Sequence, residues 1–561
     1  MTRPVPDTRA PRHVAATERK AASPGPRGPW AVRARRLAEP GGTVLAAVIL
    51  FGCYYLQSRT VPIRSDGGSV ALQAWDMLHG DVLLRHWHMS DVSFWPAELV
   101  QYALLEAVDG LGPGVIHLGG AMTYTLLLLL AAYLARGPGN RAAGRDAPAR
   151  VAVVVAIMVA PAAVESPTLL LTPDHLGSAV PVLLAWLAVD RLADRPGARW
   201  YLPVLVALVL AWGQVADGLV LLTGALPMAV ACGARACVRL RPRAAGSGTT
   251  AFPWLEAGLA GAAIVSAVLA RGIEALIRVS GGYVLRPVAT SITSWAELPH
   301  VVKLTAQGLA ALFGVAFSRG QPATETVFAV LHLAGLAVAL VAFVLALGRL
   351  GRAGDLMLPG LALGIAVNVA AYTATPYAQD LLSTREISAA LPFAAVLAGR
   401  QLAGPMWRAA RAWPAVAPAL AVVLVAAPVA LGYHASQPAR PADNQKLASW
   451  LAAHHLTAGL STDYWVANST TLDAGGRVTV RQISINRRWQ LVHPVTWGNR
   501  SDWYDAEHCS ASFIVVDDAR PGAWTAESWG AVHAFGRPVR TLHPDGYTVL
   551  IWRRNLLAGI R

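Results

Sequence analysis

Carboxylates, a histidine and guanidinium groups gather in a few short stretches between long apolar runs of this sequence. Asp66 stands in RSDGGSVALQAWDMLHGD (64–81), Asp174 and His175 in TPDHLGS (172–178), Gln214 and Asp217 in QVAD (214–217), and Arg385 and Glu386 in STREIS (383–388). Such groups suit transfer of a sugar out of a phosphate ester. An arginine neutralises a leaving phosphate through two parallel N–H···O bonds. A carboxylate accepts the proton of an attacking hydroxyl while the sugar passes through an oxocarbenium-like state. An unperturbed aspartate, with a pKa of about 3.9, is a weak base, so it acts late in bond formation or with burial raising its pKa. Plainer roles compete at each position: Asp66 and Asp174 as helix caps, and Arg385 as an ion-pair partner of Asp380 or Glu386. His86, His88 and Asp91 have a spacing that could ligate a metal, although His is also common at interfaces. The pairs Tyr464-Trp465 and Trp503-Tyr504 could stack on sugar faces or simply fill a core.

The elements that must position these residues are membrane spans. Of 561 residues, 55% are hydrophobic and only 14% charged, and the mean hydropathy is +0.43. A soluble domain carries about 25% charged residues. The apolar residues fall in runs of about 17–25, long enough to cross roughly 30 Å of hydrocarbon. The formal charge of +14 sits in the N-terminal tail and in short loops such as RGPGNRAAGRDAPAR (136–150) and RACVRLRPR (235–243). That distribution encodes orientation in the membrane and argues against nucleic acid as a partner. The four cysteines imply no disulfide framework.

The sequence predicts a mostly α, polytopic bundle of about eleven spans. Residues 1–41 read as a disordered, basic cytoplasmic tail. Residues 42–433 read as the transmembrane domain, with a large first outer loop at 59–113. Spans are expected near 43–58, 114–135, 151–170, then on either side of DRLADRPGAR (190–199) and of QVAD, and near 254–277, 324–347, 356–374, 387–399 and 414–433. Counting KLTAQGLAALFGVAFS (303–318) as a span would put the basic loops 348–352 and 399–411 outside, so it reads as an interfacial or re-entrant helix. Residues 434–561 read as an extracytoplasmic α/β domain. DNQKLASWLAAHHL (443–456) is an amphipathic helix, RVTVRQI (477–483) and SFIVVDD (512–518) are strands, and Gly475-Gly476 and Pro544-Asp-Gly546 are turns.

With this topology the acids and arginines outside the inner loops all lie at one rim of the membrane. This arrangement resembles the GT-C membrane glycosyltransferases, a superfamily that includes protein O-mannosyltransferases and the lipid A aminoarabinose transferase. Asp66 stands just beyond the first span, as the family's loop-one acid does. An amphipathic helix then ends in Trp75-Asp-Met-Leu-His-Gly80, and SFWPAELVQYALLEAVDGLG (93–112) leads into span two. Asp174 matches a second acid in the second outer loop. STREISAALPFAAVLAG (383–399) is similar to the arginine-then-proline segment before a late span, with Glu386 where the family's pair has Tyr. The Ala-, Arg- and Gly-rich composition suggests a high-GC bacterium such as an actinomycete.

The resemblance implies a polyprenyl-phosphate sugar as donor, a lipid, glycan or protein as acceptor, and a plasma membrane location among membrane lipids. It implies Asp66 and Asp174 as catalytic residues, and His175, Arg385, Glu386, Asp217 and Trp75 as substrate contacts. No certain cofactor follows, and a divalent metal is left open. A transporter or flippase for an envelope lipid or glycan is the alternative class. It would need a polar path at the midplane, where Asn368 is a rare polar residue.

Overall fold

The computed structural model describes residues 29–63, 65–138, 146–171, 173, 175–240, 252–287, 291–352, 355–486, 491–517 and 525–560. Among these, eight helices are long and apolar enough to cross a membrane: Gly41–Ser58, Gly114–Arg136, His175–Leu192, Leu221–Leu240, Trp254–Val279, Ala323–Leu347, Met357–Ala374 and Val416–Ala435. Ala147–Met158 and Ala163–Leu170 make a ninth if they count as one span, bent by 76° at a break that contains Pro161. A proline lacks the N–H that would continue the helix ladder. Leu202–Ala216 is apolar but shorter, and Ala390–Ala412 carries Arg400, Arg408 and Arg411. Helices overlap all eleven predicted segments, and eight of them, or nine with the bent pair, are long and apolar enough to be spans. Residues 303–318 form no candidate span: the helix there is Leu298–Leu312, of 15 residues. The chain is a multi-pass membrane protein.

Packing divides the chain into Met1–Ile49 and Leu50–Arg561. The helix Pro29–Ser58 begins inside the segment predicted as a disordered tail, and residues 1–28 lie outside the described residues. Within Leu50–Arg561 the bundle core is Leu, Val and Ala, with Tyr54, Tyr124, Trp186 and Phe393 as its largest fully buried side chains. At the helix ends near Arg136, the basic residues are paired. Arg400 donates to Asp190 at 2.6 Å, and Glu256 lies 2.7 Å from Arg239 and 3.3 Å from Arg235.

The strands are β1 (Trp87–Met89), β2 (Val284–Leu285), β3 (Ala458–Ser461), β4 (Thr479–Asn486), β5 (Leu491–Pro494), β6 (Asn499–Arg500), β7 (Phe513–Asp517), β8 (Arg540–Leu542) and β9 (Tyr547–Ile551). Six of them form a C-terminal sheet, in the order β5-β4-β3-β7-β9-β8, and β4 and β7 fall in the two segments expected as strands. The pairs β4–β3 and β3–β7 are parallel and the others antiparallel. Phe513 to Val516 are fully buried, as a continuous apolar run in a central strand covered on both faces should be. The helices Gln445–Ala453, Tyr464–Asp473 and Ala526–Phe535 complete this unit.

The remaining strands form a second sheet, β2-β1-β6, that no sequence pattern announced. It ties the first long loop to the segment after Val279 and to the C-terminal unit. Trp87 pairs with Arg500, His88 with Asn499, and Met89 with Leu285. Asp76 strengthens the same junction, accepting hydrogen bonds from the Trp87 indole and the Arg500 guanidinium, both at 2.8 Å. Asn468-Ser-Thr and Asn499-Arg-Ser match the Asn-x-Ser/Thr pattern of a glycan acceptor, but both asparagines are buried, at 1% and 0% exposure, so neither presents an amide for modification.

The Gly-Gly pair after Asp66 has a packing reason. The helix Ser65–Leu78 lies so close to Tyr464–Asp473 that a Cβ on Gly68 would meet the backbone of Asn468 and Ser469 at 3.0–3.1 Å. Gly68→Val therefore forces the two helices apart and is expected to lower stability by about 1–3 kcal/mol. Thermal unfolding in detergent checks this, and an unchanged midpoint would show that the two helices do not meet at Gly68.

Candidate active site

Asp66 lies in the first turn of Ser65–Leu78, where a carboxylate is favoured by the helix dipole. Ser69, Val70 and Gln73 follow it at helical spacing, and these four residues make one wall of a cavity of about 220 Å³. Ser90 to Val92 and Phe94 of the long loop, Pro173 and His175, Tyr377, Arg385 and Glu386, and Tyr464, Trp497 and Gly498 of the C-terminal unit make the rest.

Two groups hold the Asp66 carboxylate. Arg385 donates to Oδ2 at 3.0 Å, and the Tyr464 hydroxyl donates to Oδ1. Asp66 and Arg385 side chains keep 27% and 31% of their exposure, so this pair is open to the cavity. Arg385 also lies 4.0 Å from Glu386. On its other side Glu386 approaches His175 Nε2 at 3.1 Å, and His175 Nδ1 meets Asp217 Oδ2 at 2.9 Å. A chain of alternating charge thus runs Asp217, His175, Glu386, Arg385, Asp66. Burial by itself would raise the Glu386 pKa, but His175 and Arg385 outweigh it and hold the carboxyl below its usual range. Asp91 goes the other way: burial, with Glu386 and Asp217 nearby, raises it against the pull of His175.

Local structure explains these placements. Arg385 and Glu386 sit on the 3₁₀ segment Leu382–Ile387, which starts where Asp380 accepts hydrogen bonds from Ser383. Asn368, the polar residue in a predicted span, donates its amide to the Glu386 carbonyl at 3.0 Å. Its use is to anchor this segment rather than to line a path through the bundle. The C-terminal wall is fixed at Gly498, whose φ of 64° lies in the left-handed region. Its carbonyl accepts from Ser69 at 2.7 Å and Asn468 at 3.2 Å, and its N–H donates to the His88 carbonyl at 2.8 Å.

Of the residues singled out in the sequence, Asp66, His175, Arg385 and Glu386 line the cavity, and Asp217 stands behind His175. Asp174 lies outside the described residues, although Pro173 and His175 on either side of it line the cavity. Trp75 is not brought to the cavity. Two residues beyond Gln73, it points away from that helical face and packs on His79 at 4.3 Å. Arg385 pairs with Asp66 at 3.0 Å and lies 4.0 Å from Glu386, and its charge helps lower the Asp380 pKa. Tyr464 lines the cavity, but Trp465 is 49% exposed, and Trp503 packs on Trp87 and beneath Arg481. Among the described residues no three His, Cys, Asp or Glu side chains converge as a metal site, His86, His88 and Asp91 included.

The sequence reading missed Tyr377, Trp497 and Gly498 as cavity residues, and the weight of Glu98. Trp497-Gly498 carried a faint signal, an aromatic beside a glycine in a turn-rich stretch. Glu98 carried more, being an acid in an otherwise apolar helix start. It is buried at 7% exposure, and its carboxylate fills the space a side chain on Gly177 would need. Burial pushes its pKa up to about 7, with Asp217 adding to the rise and His175 opposing it.

No family model matches the chain, and no curated protein matches it. Solved structures do. The chain is similar to ArnT from Cupriavidus metallidurans in the apo state, with a TM-score of 0.53 and 13% identity over 93% of this chain and 99% of that one. It is similar to the same protein bound to undecaprenyl phosphate, with a TM-score of 0.51 and 14% identity over 93% and 97%. The Archaeoglobus fulgidus oligosaccharyltransferase tethered to an acceptor peptide also matches, with a TM-score of 0.46 and 13% identity over 84% and 69%. The fold is that of these ArnT structures, matched over 93% of this chain.

The Glu98 pKa gives a pH dependence with a definite sign. Its folded value, about 7, lies above an ordinary value of 4.5, so the folded state holds the proton more tightly. This residue's contribution to stability therefore falls as pH rises from about 4.5 to about 7, by at most about 1.4 kcal/mol per pH unit. Glu98→Gln should flatten that part of the melting-temperature profile. Parallel profiles for the two proteins would mean that Glu98 is ionised when buried.

Proposed function

We propose that this chain is a glycosyltransferase that moves a sugar from a polyprenyl-phosphate donor to a hydroxyl of a lipid, glycan or protein acceptor. In this reading the cavity opens on the extracytoplasmic face of the plasma membrane, with the N-terminus cytoplasmic and the C-terminal unit outside. The observation that carries it is the contact of Asp66 with Arg385 and Tyr464 in one cavity at the ends of the spans. The GT-C fold supports it, as does the undecaprenyl phosphate bound by the ArnT neighbour.

The chemistry follows from what each group can exchange. Arg385 is held at the cavity by Asp66 at 3.0 Å, with Glu386 at 4.0 Å. A donor phosphate competes for the guanidinium and forms a bidentate pair with it, which releases Asp66 Oδ2. Tyr464 keeps Oδ1 and so keeps the carboxylate oriented. The acceptor hydroxyl then attacks the anomeric carbon. The bond from that carbon to the phosphate oxygen breaks, the acceptor O–C bond forms, and the hydroxyl proton passes to Asp66 with inversion. Polyprenyl phosphate leaves with its new charge on Arg385. The ring faces of Tyr464 and Trp497, whose centroids are 4.7 Å apart, offer an apolar surface for the sugar. His175, locked between Asp217 and Glu386, orients the wall next to Asp174, the second acid of the proposed site.

Incubation of the purified protein with polyprenyl-phosphate mannose and other lipid-linked sugars tests the reading through release of polyprenyl phosphate. Asp66→Asn should lower kcat by about 10²–10⁴ with the melting temperature retained. Arg385→Lys, which keeps charge but loses the fork, should mainly raise the KM for the donor. Wild-type turnover in Asp66→Asn would remove the assigned base.

A further inference from the structure

A second cavity, of about 590 Å³, has in its wall Leu381, the residue just before the segment that carries Arg385 and Glu386. Its floor and sides come from span ends. Thr60 and Val61 follow the first span, and Ala162 to Val164 lie at the bend of the broken one. Phe328 and His332 lie in the first turns of Ala323–Leu347, and Tyr433 and His434 in the last turn of Val416–Ala435. The cavity therefore lies among the ends of candidate spans.

Its polar groups are arranged as in a built site. His434 is 2% exposed, and its Nε2 lies 3.2 Å from Glu325 Oε1, while its Nδ1 is buried with no hydrogen-bond partner. A buried polar atom left without a partner is costly, and a bound ligand removes that cost. Arg440 stands in the same lining, exposed and with no carboxylate partner among the described residues, its backbone N–H tied to the Arg59 carbonyl at 2.8 Å. From Phe328 and His332 the cavity continues into a shallow apolar crevice, with about 20 Å³ of interior space, between the two spans. Ala426, Ala427 and Ala430 form part of its wall.

We propose that this cavity binds a phosphate-headed lipid, at a site separate from the Asp66 cavity. The phosphate pairs with Arg440, a hydroxyl of the head satisfies His434 Nδ1, and the chain lies along the alanine-lined crevice. A cationic side chain at a span end, with a cleft between helices below it, is the arrangement that holds anionic lipid heads. The inference does not depend on the proposed transfer reaction.

Site-specific crosslinking tests it on the full chain. A photoreactive benzoylphenylalanine replaces Phe328, and the protein is irradiated in micelles holding equal amounts of phosphatidylcholine, phosphatidylglycerol and undecaprenyl phosphate. Adducts are identified by mass spectrometry. Expected is an enrichment of about tenfold of a lipid whose head is a net anion over the choline lipid. Dominance of phosphatidylglycerol identifies a bilayer lipid as occupant, and dominance of undecaprenyl phosphate a polyprenyl lipid. Arg440→Ala and Ala426→Phe should each abolish the enrichment, whereas Asp66→Asn, predicted to be inactive in transfer, should keep it. Adducts in proportion to the micelle composition, or an enrichment unchanged in Arg440→Ala, would overturn the proposal. Neither outcome bears on whether Asp66 is a base.

Discussion

Asp66 and Arg385 are 319 residues apart, yet their side chains meet at 3.0 Å, and most of the architecture can be understood as what that contact requires. Charged groups at a membrane boundary lose part of their hydration, and each then needs a partner to offset the loss. Asp66 is placed by a helix that is not a span, and Arg385 by a 3₁₀ segment between two spans. Neither element could hold its position alone. The first rests on Tyr464–Asp473 through Gly68, and the second is anchored by Asn368. The pair is half open and solvated, so its attraction is modest. Its value lies in keeping a base and a cation ready for exchange with a substrate.

Beside this pair stands a more deeply buried set of ionisable groups. His175 lies between Asp217 and Glu386, with Glu98 and Asp91 close enough to feel their charge. Burial raises the pKa of both Glu386 and Glu98, but their neighbours lead to opposite outcomes. Glu386 has two cationic neighbours and is stabilised as a carboxylate. Glu98 has burial and Asp217 against it, and its pKa rises to about 7. Electrostatics thus sorts similar residues into permanently charged groups near the cavity and a proton-holding group behind it.

The spans were legible because hydropathy over twenty residues is a local property, and so were two of the six C-terminal strands, β4 and β7, through their local apolar pattern. Asp66 and Arg385 could be picked out because each is a charge at the end of an apolar run. Their meeting could not be read locally, since it rests on pairings such as Trp87 with Arg500 between segments of two or three residues. Strands so short carry no periodicity. Trp75 was misplaced for a related reason: composition marks an aromatic in the right helix, but only the phase against Asp66 and Gln73 says which way it faces. Glu98 looked like one more loop acid because nothing in its neighbours along the chain reveals that Gly177 will make room for it.

The C-terminal unit was expected as a separate domain outside the membrane, but its contribution is more intimate. Tyr464 holds one oxygen of Asp66, and Trp497 and Gly498 close a wall. At about 220 Å³ the cavity is smaller than typical ligand pockets, which begin at about 300 Å³. A sugar attached to a polyprenyl phosphate needs more room, so under the proposed function one wall has to yield. The wall formed by spans is packed at interior density and yields at high cost. The Trp497-Gly498 wall is held by three hydrogen bonds through Gly498, to Ser69, Asn468 and His88. Individual hydrogen bonds contribute about 0.5–1.5 kcal/mol each, within reach of the binding energy of one phosphate–arginine pair. Under the proposed function, the side that yields is therefore the one built by the C-terminal unit, and the side that carries the charges stays fixed.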